Sequence, residues 1–88
     1  MKILKFKQNN CTPCRIVDQF IKNDLNVDAD ETLILFSEDN QADELAVKYG
    51  VMQTPTIVLI DDNEEIIDIV RGVDQEKIRN IFEKRGLI

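Results

Sequence analysis

Two cysteines stand three positions apart in Cys11-Thr12-Pro13-Cys14, and no other residues of this 88-residue chain are so plainly suited to chemistry. A thiolate is the nucleophile of disulfide exchange, and a second thiol at this spacing can displace the first from a mixed disulfide. Two cysteines are too few for a disulfide framework, and the absence of histidine excludes zinc patterns that mix cysteine and histidine. A four-thiolate site within one chain is excluded on the same count, so no metal is expected. Two other readings of the pair stay open: inert thiols, or half of a zinc site completed by a second chain.

The charge around this motif is uneven. Residues 1–22 hold Lys2, Lys5, Lys7, Arg15 and Lys22 against Asp18, whereas the rest of the chain holds six bases against sixteen acids within a net charge of −6. An acidic remainder argues against a nucleic-acid partner, which requires phosphate neutralisation. No apolar run approaches the roughly 20 residues of a membrane span, and the Met1 start lacks the pattern of a secretory leader. The expectation is one domain over residues 1–88, soluble and cytoplasmic, without a membrane partner. Paired cysteines in that compartment are more often redox-active than structural.

The elements that must position the motif follow from periodicity. Met1 to Phe6 reads as a strand, too short for a helix and rich in β-capable residues. From Cys11 the period becomes helical, with Ile16, Val17, Phe20, Ile21 and Leu25 on one face. Thr12 or Cys11 serves as N-cap, and Pro13 falls in the first turn, where its missing N–H costs nothing. The motif therefore sits at a helix N-terminus, which stabilises an anion on Cys11, while Cys14 lies one turn in. Thr32 to Phe36 is a continuous apolar run, read as a strand buried on both faces. Asn40 opens a helix through Ala42, Leu45, Ala46 and Tyr49 that Gly50 stops. Thr56 to Ile60 and Glu65 to Arg71 flank the turn Asp61-Asp62-Asn63 as a hairpin. Gly72 breaks the second of these strands, and Asp74 caps a last helix buried through Ile78, Ile81 and Phe82. The order β-α-β-α-β-β-α implies an α/β fold with a four-stranded mixed sheet flanked by three helices.

The segments Cys11-Thr12-Pro13-Cys14, Tyr49-Gly50-Val51-Met52-Gln53-Thr54-Pro55-Thr56 and Arg71-Gly72, in this order, make the chain resemble the thioredoxin family in a shortened form. The resemblance implies a thioredoxin-like fold, with Pro55 as a cis-proline packed beside the active-site disulfide. It also implies substrate contacts from Thr54, Pro55, Thr12 and Pro13. The activity it implies is reduction of protein disulfides, with Cys11 as nucleophile, Cys14 as resolving thiol and the Cys11–Cys14 disulfide as the redox centre. Electrons would return from an NADPH-dependent flavoprotein reductase. No cofactor is expected, because the chain has no Gly-rich dinucleotide fingerprint.

Several departures qualify the resemblance. The short start is similar to glutaredoxins and to the glutaredoxin-like hydrogen donors of ribonucleotide reductase. The long Pro55–Gly72 interval is similar to thioredoxin, and Gly72 followed by Val73 argues against glutathione. Lys5 stands where thioredoxins carry a buried aspartate, so deprotonation of Cys14 falls to water, another carboxylate or Lys5 itself. With Lys7 it is a candidate for tuning the thiols. Lys7, Asn9 and Asn10 replace the usual aromatic rim. Without a leading strand, 32–36 becomes a sheet edge open to weak dimerisation, with the monomer as the default. The alternative functions are a dedicated donor for ribonucleotide reductase and a non-catalytic module that binds partners through the Thr54-Pro55 groove.

Overall fold

Strand β1 (Lys2–Lys7) alternates its side chains across the sheet, and this alternation decides where each layer forms. Ile3 faces one side, whereas Leu4 and Phe6 face the other. The computed structural model describes residues 1–38 and 40–88. Its elements run β1, α1 (Thr12–Gln19) continued by a π-helical segment (Phe20–Leu25), β2 (Glu31–Ile34), α2 (Asn40–Lys48), β3 (Thr56–Ile60), β4 (Ile66–Arg71) and α3 (Gln75–Arg85). This is the order read from the sequence.

The sheet order is β2-β1-β3-β4, with β1 and β2 parallel and the other pairs antiparallel. On one face Ile3, Ile57, Leu59 and Val70 pack against Val17, Phe20 and Ile21 and against Ile78, Ile81 and Phe82 of α3. On the other, Leu4, Phe6, Leu33, Val58 and Ile60 pack against Ala42 and Ala46 of α2 and against Tyr49. All five residues of β3 are buried, as an inner strand covered on both faces requires.

Three local expectations are corrected. Ile16 is not on the inward stripe but 47% exposed, because the helix turns Cys14, Val17 and Ile21 to the sheet and Ile16 lies about 100° away from Val17. The helix does not stay α to its end: Asn26 donates to the Ile21 carbonyl in the wider π pattern and closes it in a left-handed conformation. The 32–36 run is not buried on both faces. Thr32 is exposed, Leu33 and Leu35 are buried, and Phe36 is 79% exposed after the strand has ended at Ile34. Strand β2 is an edge, so it alternates like a strand with one solvated face. The remaining stops agree with the sequence: Gly50 has positive φ, and the Asp74 carboxylate accepts from the Lys77 N–H.

One rung of the sheet matters for function. Phe6 of β1 pairs with Thr56 of β3, which pairs with Arg71 of β4. The chain leaves β1 just beyond this rung toward Cys11, enters β3 just before it through Thr54-Pro55, and leaves β4 just after it at Gly72. Strand direction alone therefore brings three loops to one end of the sheet.

Candidate active site

Cys11 is the N-cap of α1, with extended φ and ψ, and its sulfur accepts the Cys14 backbone N–H at 3.2 Å. A left-handed Asn10 turns the chain from β1 into this cap. Of the two N-caps weighed, Cys11 takes the role; Thr12 instead accepts from the Arg15 guanidinium at 3.1 Å. Thr12 and Pro13 are exposed in the first turn. Cys11 and Cys14 form a disulfide with their Cα atoms 5.2 Å apart. Cys11 is half-buried and Cys14 only 1% exposed, so an incoming group meets Cys11 first. The N–H on the Cys11 sulfur and the positive end of the helix both favour negative charge there.

The second loop supplies Thr54 and Pro55, joined by a cis peptide bond. The Thr54 hydroxyl lies 3.8 Å from the Cys11 sulfur and accepts from the Gln8 side-chain amide at 3.1 Å. The Thr56 hydroxyl, itself buried, donates to the Gln53 carbonyl at 2.7 Å and holds the turn before Pro55. In the third loop the Gly72 N–H donates to the Pro55 carbonyl at 2.9 Å. Met52 is 94% exposed and Val73 44%, so both loops present apolar side chains to solvent.

Lys5 and Lys7 sit two residues apart on the same side of β1, and both ammonium groups bind the carboxylate of Asp18 on α1. Lys5 is the more enclosed, its side chain 13% exposed. Burial works against the charge on Asp18, but the two lysines outweigh it and hold its pKa below the ordinary carboxylate value. Asp18 follows Cys14 by one helical turn and so shares its side of α1. The candidate residues thus fall in two groups: Cys11, Cys14 and Thr54 meet at the disulfide, with Pro55 joined to Thr54 by the cis bond, while Lys5 and Lys7 meet at Asp18.

Sequence reasoning missed Gln8 and Asp18. Asp18 carried a signal, as the one acid among five bases in residues 1–22 and four positions after Cys14. Gln8 carried none, because its contact with Thr54 depends on the register between β1 and β3. Among the described residues, no group of three or more cysteine, aspartate or glutamate side chains is arranged to hold a metal ion, and no helix is long and apolar enough to cross a membrane.

A mixed four-stranded sheet with a Cys-x-x-Cys pair at a helix N-terminus and a cis-proline loop against it defines a dithiol–disulfide protein of the thioredoxin-like fold. The thioredoxin family model matches residues 1–84, and the chain belongs to that family. It is similar to the SPbeta prophage-derived thioredoxin-like protein YosR of Bacillus subtilis, with 33% identity over 96% of this chain and 98% of that one. It is also similar to thioredoxin H5 of Oryza sativa, with 30% identity over 93% of this chain, which spans 59% of that protein. Among solved structures, thioredoxin from Aeropyrum pernix superimposes with a TM-score of 0.65 at 26% identity, over 98% of this chain and 73% of that one. Family membership together with the Cys11–Cys14 pair makes the chain a thiol–disulfide oxidoreductase in general terms.

Proposed function

We propose that this protein reduces disulfides in other proteins, with Cys11 as nucleophile and Cys14 as resolving thiol. The observation that carries this reading is the asymmetry of the pair: the outer sulfur is capped by a backbone N–H at 3.2 Å and half-buried, and the inner one is enclosed. In the reduced protein the Cys11 thiolate attacks one sulfur of a substrate disulfide. That S–S bond breaks, a mixed disulfide forms, and the other substrate sulfur leaves as a thiolate that takes a proton from water. Cys14 then gives up its proton and attacks the Cys11 sulfur, which reforms the Cys11–Cys14 bond and releases the second substrate thiolate. Two electrons pass to the substrate. An external dithiol returns them, and we assign that role to an NADPH-dependent flavoprotein reductase. The substrate backbone lies along Thr54 and Pro55 with Thr12 and Pro13 at its flank, and the working compartment is the cytoplasm, where such a couple stays reduced.

Reduction of insulin with dithiothreitol as electron source tests the reading. The wild-type protein should accelerate precipitation of the insulin chains, and Cys11→Ser should abolish the acceleration. Cys14→Ser should accumulate a mixed disulfide with substrate. A wild-type rate equal to dithiothreitol alone would instead favour a non-catalytic binding module.

A further inference from the structure

The Thr54 hydroxyl stands between two side chains. Gln8 Nε2 donates to Thr54 Oγ1 at 3.1 Å, and Cys11 Sγ lies 3.8 Å from the same oxygen. A hydroxyl has one proton and two lone pairs. With the Gln8 amide donating into one lone pair, the Thr54 proton is free to point at sulfur, and the donated bond polarises the O–H. An acceptor at position 8 would draw the proton the other way and leave only a lone pair facing Cys11.

We infer that Gln8 is a positioning residue for disulfide exchange: by donating to Thr54 it aims the Thr54 hydroxyl at the Cys11 sulfur and so favours its thiolate. This rests on the oxidoreductase reading and names residues that serve it. The thiolate then has two donors from different elements, the Cys14 N–H of α1 and the Thr54 O–H of the loop before β3. Hydrogen bonds to a charged atom are about twice as strong as neutral ones, so both tighten when the Cys11 proton leaves to solvent. They weaken again when sulfur becomes neutral in a mixed disulfide. The same relay thus assists Cys11 as the attacking group and is at its weakest in the mixed disulfide, where Cys14 attacks the Cys11 sulfur and the substrate thiolate leaves. The other charged groups on the surrounding elements are Lys2, Lys5 and Lys7 of β1, Arg15 and Asp18 of α1, and Asp68 and Arg71 of β4. All are retained in the variants below.

The test is the midpoint of Cys11 thiolate formation in the reduced protein, followed by ultraviolet absorbance against pH, with Cys14→Ser as background so that one thiol titrates. Thr54→Val should raise the midpoint by about 1 pH unit, the scale of one hydrogen bond to a charged group, and Gln8→Ala by about half as much. Gln8→Glu should raise it most, because a carboxylate accepts the hydroxyl proton and adds negative charge. Thr54→Ser, which keeps the hydroxyl, should titrate like the wild type. Gln8→Ala added to Thr54→Val should produce no further shift, a result that a merely structural role would not give. The inference is overturned if Gln8→Ala and Gln8→Glu both titrate like the wild type, or if Gln8→Ala shifts the midpoint equally with and without the Thr54 hydroxyl. Because this readout needs no substrate, its failure is separate from failure of insulin reduction.

Discussion

Gly72 donates its backbone N–H to the carbonyl of Pro55 at 2.9 Å, which ties the end of β4 to the loop whose Thr54 hydroxyl faces the Cys11 sulfur. The bond depends on a backbone that L side chains rarely adopt, with φ at +90°. An added Cβ would meet no atom within 4 Å, so the penalty of substitution is conformational rather than steric crowding from neighbours. Gly72→Ala should cost about 1–2 kcal/mol in denaturant unfolding. Its rate of insulin reduction should fall along with stability, since the strained residue relaxes by releasing Pro55.

Asp18 pairs with two lysines in a partly enclosed place. Asp18→Asn leaves both ammonium groups without their carboxylate, and partial exposure keeps the cost to about 1–2 kcal/mol, below that of a broken fully buried pair. The folded protein holds this carboxyl below its ordinary value of 3.8. A depressed folded pKa contributes stability that is present above the unfolded value and is lost as pH falls through the folded one. Urea midpoints measured across the acid range should therefore decline more steeply below about pH 4 in the wild type than in Asp18→Asn. Equal slopes for the two proteins would show that the cluster is not coupled to folding.

Phe36 has a left-handed backbone, φ +57°, and a side chain 79% exposed. Its N–H donates to the Asp43 carboxylate at 3.1 Å, which fixes the turn without using the ring. A bulky residue bears a cost in this conformation that asparagine largely escapes. Phe36→Asn should raise the thermal midpoint, with a gain of about 0.5–1 kcal/mol. A lowered midpoint would mean that the ring has packing value in solution.

One of the two outer edges of the sheet is β2, only four residues long. Lys2 and Glu31 form an ion pair of 3.0 Å across the first rungs, and Thr32 is exposed. Short strands with charge nearby are poor templates for pairing. Light scattering at high micromolar concentration should give the mass of one chain. A mass of two chains that reverts on Thr32→Pro would place an interface at this edge instead.

Much of the site is legible in local chemistry. The cysteine spacing, Pro13 in the first helical turn, the stop at Gly50 and the Asp74 cap each follow from a residue acting on its own neighbourhood, whereas the cis bond before Pro55 follows from the family resemblance, and the structure agrees at all of them. What was hidden depends on tertiary register. Gln8 meets Thr54 only because β1 and β3 are antiparallel with Phe6 opposite Thr56. Asp18 reads as part of a solvated helix face until β1 presents Lys5 and Lys7 to it. The apolar run through Phe36 looked like a doubly covered strand because hydrophobicity alone does not reveal which strand is an edge.

The rung Phe6–Thr56–Arg71 also makes the reactive geometry a measuring device for the core. Adjacent strand residues are about 3.3 Å apart, so a one-step slip of β3 would carry Pro55 off the disulfide and turn Ile57 and Val58 to each other's faces. A redox-competent protein is therefore one in which both hydrophobic layers have seated correctly. Selection for disulfide exchange would police residues as distant from sulfur as Leu59 and Ile81, and a loss of activity there would report misalignment rather than altered chemistry.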